Sequence, residues 1–260
     1  MRSRSLAIRA VVIAWSAALS ATGFAACEAR SGPRTAALVE LYTSEGCSSC
    51  PPADRQLSRL RQALDPAAEI VPLALHVPYW DYIGWKDPYA QDAFGERQDW
   101  LVRSNLQKTV YTPQFFVGGA ELRSWQGALR EEVRQLNARP AEATIRVRAS
   151  TSAGGALTLS ADATAAAASA PAALYLALTE SGLTSSVTRG ENGGATLVHD
   201  HVVRAWVGPI ELRSGAARTQ REIVLPPAWN RAKLEVVAFV QDQRSGRVLQ
   251  ALSARQCAGS

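Results

Sequence analysis

Between residues 36 and 140 the apolar positions switch between short continuous runs and stretches with a helical period. Ala36 to Tyr42 form a largely apolar strand that ends in the turn Thr43-Ser44-Glu45-Gly46. After Cys47-Ser48-Ser49-Cys50, residues Ala53, Leu57, Leu60 and Leu64 recur at helical spacing. Pro51 and Pro52 suit the first turn of that helix, where the missing N–H groups have no partner to lose. Asp65-Pro66 stops it, and Ile70 to Val77 form a second apolar strand. The order strand, helix, strand predicts a parallel pair joined by a right-handed crossover. Pro78 to Tyr89 is loop-like and aromatic, and Asp87-Pro88 predicts the start of a helix ending near Leu106. Gln114 to Val117 is a strand, Gly118-Gly119 a turn, and Glu121 to Arg123 the returning hairpin partner. Ser124 then caps a helix with Leu129, Val133 and Leu136 on one face, and Arg139-Pro140 closes the unit.

Beyond Pro140 the period becomes two. Ile145/Val147, Leu157/Leu159, Leu174/Leu176/Leu178, Leu197 to Val207, Ile223/Leu225, Leu234/Val236/Ala238 and Val248 to Leu252 predict about seven strands, with Gly-rich turns such as Gly190 to Gly194 between them. That pattern predicts an antiparallel sandwich. Residues 161 to 173 are Ala-rich and featureless.

The N-terminus has a different character. Arg2, Arg4 and Arg9 precede an apolar run from Ala10 to Ala21 and the small-residue stretch Gly23-Phe24-Ala25-Ala26, the pattern of an export signal over residues 1–26. No stretch reaches the ~20 apolar residues that span a bilayer. The formal charge of +5 falls to near balance once the three signal arginines are set aside, and no block of five or more Lys/Arg exists. The composition therefore gives no footprint for nucleic acid. The expected location is periplasmic or secreted, where cysteines pair. Cys47 and Cys50 form one natural pair. Cys27 and Cys257, near the two ends, form a second, with lipidation of Cys27 as the competing reading.

A Cys-x-x-Cys between strand and helix carries thiol chemistry for a physical reason. The helix N-terminus favours the thiolate of Cys47, and two intervening residues let Cys50 close on it. Ser48 and Ser49 add no charge, and Glu45 opposes a thiolate at Cys47. Thr112-Pro113 follows about 60 residues later, just before a strand, where a thioredoxin-like order of elements places a cis-proline facing the cysteine pair. Glu40 on the first strand is a candidate buried proton relay, and His76 at the end of the second a candidate for proton transfer. Trp80, Asp81, Tyr82, Trp85 and Thr112 are candidates for a partner groove, against a role covering the core. His199 and His201 share a strand face as a metal pair that lacks a third ligand.

Val39 to Asp54, His76 to Pro88 and Thr109 to Gln114, together with Gly190 to Gly194 and His199 to Arg204, resemble the domain-of-unknown-function-1223 family over nearly the whole mature chain. Pro78 departs from the family pattern, which carries Asp there. The resemblance implies a thioredoxin-like fold in an exported protein and no known reaction. The expected architecture is an α/β thioredoxin-like domain over residues 27–140 followed by an all-β antiparallel sandwich-like domain over 141–260. Three functions stand open: thiol-disulfide exchange on a protein or small thiol with no cofactor, a binding module with a structural disulfide, and copper handling through Cys47, Cys50 and His76.

Overall fold

The computed structural model describes residues 27–152, 155–165, 171–254 and 257, so the expected export signal lies outside the described residues. The first half runs β1 (Cys27–Arg30), β2 (Ala37–Thr43), α1 (Pro51–Ser58), α2 (Leu60–Ala63), β3 (Ile70–His76), a 3₁₀ turn (Pro78–Ile83), α3 (Asp92–Ser104), β4 (Gln114–Val117), β5 (Ala120–Glu121) and α4 (Trp125–Asn137). The second half holds β6 (Ala143–Thr151), β7 (Leu157–Ala165), β8 (Ala172–Glu180), β9 (Leu183–Ser186), β10 (Thr196–His199), β11 (Val202–Glu211), β12 (Ala216–Ile223), β13 (Leu234–Asp242) and β14 (Val248–Ala254). The expected strand Leu197 to Val207 is two strands, because His201 takes a left-handed φ of 58° between them. Of the Ala-rich stretch, residues 161–165 end β7 and residues 172–173 begin β8.

One mixed sheet of eight strands, in the order β14-β13-β8-β11-β3-β2-β4-β5, organises the molecule. β2 and β3 pair in parallel, as the crossover predicts, and β4 runs antiparallel to β2. Every residue of β2, β3, β4 and β8 is buried, as strands covered on both faces must be. Strands from both sides of residue 140 bond into this sheet, the junction being β11 beside β3 at Val202 and Ala74. The antiparallel strands therefore pack as two layers, but one of those layers continues into the strands of the first half. Only β1, β6, β7 and β12 make the separate four-stranded layer.

Three cores follow from this arrangement. The even positions of β8 (Leu174, Leu176, Leu178) pack with Val236 and Ala238 against Ile145, Val147, Leu157 and Leu159 of the four-stranded layer. The odd positions (Tyr175, Ala177) pack with Leu38, Tyr42, Leu73 and Leu75 against Phe94 and Leu101 of α3. Val39 and Leu41 face Ala53 and Leu57 of α1 and Leu129 and Val133 of α4. One face of the great sheet is thus covered by α3. The other is covered by α1 and α4 at one end and by β-structure at the opposite end.

Two local expectations are corrected. α3 begins at Asp92 rather than at Asp87-Pro88, because the Asp87 side chain is drawn inward, as described below. Ser124 stands at the start of α4 without a side-chain capping bond. Cys27 and Cys257 are joined by a disulfide with Cα atoms 5.0 Å apart. That bond commits the Cys27 sulfur and leaves none for a lipid. No helix among the described residues is long and apolar enough to cross a membrane.

Candidate functional site

Thr43 pairs with His76 and Tyr42 with Gln114, so the ends of β2 and β3 and the start of β4 share one sheet edge. The segment that leaves β2 at this edge carries Cys47 and Cys50, joined in a disulfide with Cα atoms 5.4 Å apart. Cys50 occupies the position just before α1, with Pro51 and Pro52 in the first turn, and its carbonyl accepts from the N–H groups of Ala53 and Asp54. Both sulfurs are fully buried, while Ser48 and Ser49 between them are exposed. The Thr112–Pro113 peptide, immediately before β4, is cis.

Behind the disulfide lies a buried set of ionisable side chains drawn from several elements. His76 Nδ1 and Asp87 Oδ2 are 2.7 Å apart, and the same Asp87 oxygen accepts from the Glu45 N–H at 2.8 Å. Asp87 Oδ1 accepts from the Tyr89 N–H. Glu45 accepts from Trp85 Nε1 at 2.7 Å and meets His199 Nε2 at 3.0 Å. The His76 and His199 rings pack edge to face with centroids 5.0 Å apart, and Tyr89 closes the group. Asp54, four residues beyond Cys50 on α1 and hence on the same helical face, has His76 and His199 as its main electrostatic neighbours. Among the described residues, Asp54 Oδ1, His76 Nε2 and His199 Nδ1 are buried without a hydrogen-bond partner.

The electrostatics of this set divide it. Burial opposes charge on His76, but Asp87 outweighs it and raises the imidazole above its ordinary value. Asp87 is likewise pushed up by burial and pulled further down by His76 and two backbone N–H groups, so each partner favours the charged form of the other. Asp54 goes the other way, with burial raising its carboxyl against the pull of the histidines. A raised carboxyl means that the folded protein holds this proton more tightly than the unfolded chain does. Stability is therefore lost as pH rises from about 3.8 through the raised value. Asp54→Asn, which cannot ionise, is expected to raise Tm above wild type at pH 7, with the gain vanishing below pH 3.8. Tm measured across that range checks it, and an equal or lower Tm at pH 7 would show that Asp54 is accommodated as an anion.

The sequence-based candidates fare differently. Cys47, Cys50, Thr112, Pro113 and His76 come together at the edge described. Glu40 does not. Residues along β2 alternate between faces, so Glu40 points with Tyr42 to the α3 side, where Arg97 holds it at 2.7 and 3.1 Å. Trp80 Nε1 donates to Thr112 Oγ1 at 2.7 Å, Asp81 accepts from the Asp87 N–H, and Trp85 holds Glu45. These three are half-buried with their polar atoms bonded within the site, whereas Tyr82 is 82% exposed. His199 and His201 share no strand face, since the chain turns between them. Among the described residues no three His, Cys, Asp or Glu side chains are grouped so as to hold a metal ion. Sequence reading missed Asp54, although its spacing from Cys50 signals a shared face, and also Asp87, Glu191 and Asn192.

The family described as "Protein of unknown function (DUF1223)" matches residues 38–241, a span that holds the cysteine pair, the cis-proline and the whole buried cluster. The chain belongs to that family. No curated protein matches it. Two solved structures resemble it in fold. A crystal structure of an Agrobacterium tumefaciens protein from a structural-genomics programme superposes with a TM-score of 0.59 at 23% identity, covering 87% of this chain and 96% of that one. HBP35 of Porphyromonas gingivalis superposes with a TM-score of 0.67 at 15% identity, covering 86% of this chain and 76% of that one.

Proposed function

We propose that this DUF1223 protein is an exported thiol-disulfide oxidoreductase that exchanges disulfides with a protein or small thiol through Cys47 and Cys50. The observation that carries the reading is the Cys47–Cys50 disulfide at the start of α1, on the sheet edge that also presents the cis Thr112–Pro113 bond. The β2-α1-β3-α3-β4-β5-α4 order over residues 27–140, with sheet order β3-β2-β4-β5, supports a thioredoxin-like unit carrying this site. Two disulfides and the basic-apolar N-terminus, residues 1–26, support export to an oxidising compartment.

In the reduced protein Cys47, favoured as thiolate by the helix end, attacks a substrate disulfide. A bond forms from Cys47 Sγ to one substrate sulfur, and the other substrate sulfur leaves as thiolate. Cys50 then gives its thiol proton to the Asp54 carboxylate, attacks Cys47 Sγ, and releases the second substrate sulfur as thiolate. The substrate is reduced and the pair oxidised, and the reverse sequence oxidises a dithiol. Asp54 is suited to the transfer because burial raises its proton affinity one helical turn from Cys50. Pro113 shapes the edge on which the partner lies.

The test is equilibration of the protein in glutathione and dithiol redox buffers, with exchange against a disulfide substrate followed in parallel. A reduction potential above about −300 mV with measurable exchange is expected. A pair that stays oxidised well below that potential and exchanges with nothing would make it scaffolding for a binding module instead.

A further inference from the structure

β9 and β10 bond only to each other and join neither large sheet. Gly182 before them and His201 after them both take left-handed φ values, 74° and 58°. The intervening loop is tied to itself: Val187 and Ala195 are bonded across its neck, Gly194 N–H donates to Val187 O, and Ala195 N–H to Asn192 O. The hairpin is thus a self-contained arm between two sharp left-handed turns, and its tip lies on the cysteine segment. Glu191 Oε2 accepts from the Ser48 N–H at 3.0 Å and the Ser48 hydroxyl at 2.7 Å. Asn192 Nδ2 donates to the carbonyls of Glu45 at 2.8 Å and Cys47 at 3.0 Å. At its base His199 meets Glu45.

Three of these four tip bonds go to main-chain groups: one N–H and two carbonyls of the turn segment that carries the disulfide. Those are the groups that a polypeptide laid along the segment would pair with. Both sulfurs, meanwhile, have no exposed surface, and exchange requires a thiolate to reach one of them.

We propose that the β9–β10 hairpin is a gate over the Cys47–Cys50 pair, latched by Glu191 and Asn192, and that a polypeptide substrate opens it by taking over the tip's main-chain bonds. The inference rests on the exchange reading above and adds the substrate class and the access step. Ser48's two bonds hold the Glu191 carboxyl below the usual range. The latch is therefore intact above the ordinary carboxylate value and weakens as pH falls through the lowered one.

The experiment compares oxidised wild type with the Glu191→Ala/Asn192→Ala double variant. Each is opened by dithiothreitol or by a short extended peptide with one cysteine, at equal thiol concentration. The attacking sulfur bonds to Cys47, the Cys47–Cys50 bond breaks, and Cys50, leaving as thiolate, is scored by alkylation after an acid quench. Loss of the latch is expected to speed opening by dithiothreitol roughly tenfold and opening by the peptide much less, because the peptide displaces the tip unaided. Unchanged dithiothreitol rates would overturn the gate, and equal gains for both reagents would overturn the polypeptide part.

A second measurement uses a fully folded protein. The Ser48 amide is held by Glu191, so its hydrogen exchange reports the latch, and Asn192→Ala should speed that exchange without touching Ser48. An unchanged Ser48 amide would also overturn the gate. If the latch behaves as described and neither protein exchanges with a peptide disulfide, the exchange reading falls and the gate stands.

Discussion

Cys47→Ser is expected to abolish disulfide exchange, while Cys50→Ser leaves a Cys47 that reacts once and stops as a stable mixed disulfide with the substrate. The asymmetry follows from the positions of the two sulfurs. Cys47 attacks from the connection beyond β2, and Cys50, at the start of α1, resolves the product. Mass spectrometry of each variant after incubation with a disulfide substrate separates the outcomes. An adduct on the Cys47→Ser variant but none on the Cys50→Ser variant would reverse the roles. The stability effect is a useful control. Closing a loop as short as Cys47–Cys50 contributes about 2 kcal/mol by chain entropy, against about 5 for the terminal pair, whose cysteines are 230 positions apart. A Cys47→Ser variant that keeps most of its stability and loses all exchange therefore separates chemistry from scaffolding. Under the binding-module reading the same variant would lose stability and retain its partner.

Arg97→Ala is expected to be the most damaging single change to the fold. The guanidinium is buried, bonded to both oxygens of Glu40 on β2 and to Gln241 Oε1 on β13 at 2.9 Å. It also sits 5.0 Å from the ring centroids of Tyr175, Trp206 and Phe239, on β8, β11 and β13. One side chain thus links α3 to strands from both halves of the great sheet. Removing it strands the Glu40 carboxylate in the interior, which costs about 3–5 kcal/mol and lowers Tm by roughly 10 °C. Replacing both partners with apolar residues, Glu40→Leu with Arg97→Met, is expected to recover much of that loss, because no charge is then left buried alone. Thermal unfolding of the wild type and the two variants checks it. A double variant as unstable as Arg97→Ala would show that the ion pair itself, rather than the unpaired charge, carries the stability. Exchange measured on the folded fraction should be unaffected, since Glu40 lies on the sheet face away from α1.

Most of the candidate site's skeleton was legible from local pattern. The run Ala36 to Tyr42, the Cys-x-x-Cys, the two prolines and the helical spacing of Ala53, Leu57 and Leu60 each depend on neighbours in sequence, so the strand, the cysteine pair and α1 could be placed without a structure. Asp87 shows where such reading stops. Beside Pro88 it has the sequence of a helix start, yet His76 and the Glu45 N–H draw its carboxylate inward, and the helix begins at Asp92. Glu191 and Asn192 lie in a Gly-rich stretch that reads as a turn. Nothing near them in sequence says that the turn ends on Cys47 and Ser48, more than 140 residues away.

The sequence by itself determined the cysteine pair, its place between a strand and a helix, the family, and the change from helical to alternating period at Pro140. These rest on propensity and periodicity, which act over a few residues. Only the tertiary structure decided that the two halves share one sheet, that Glu40 belongs to Arg97 rather than to the cysteines, and that a hairpin from the second half is bonded to the cysteine segment of the first. Each depends on which strand lies beside which. That choice is made by the burial of whole faces, and no local pattern encodes it.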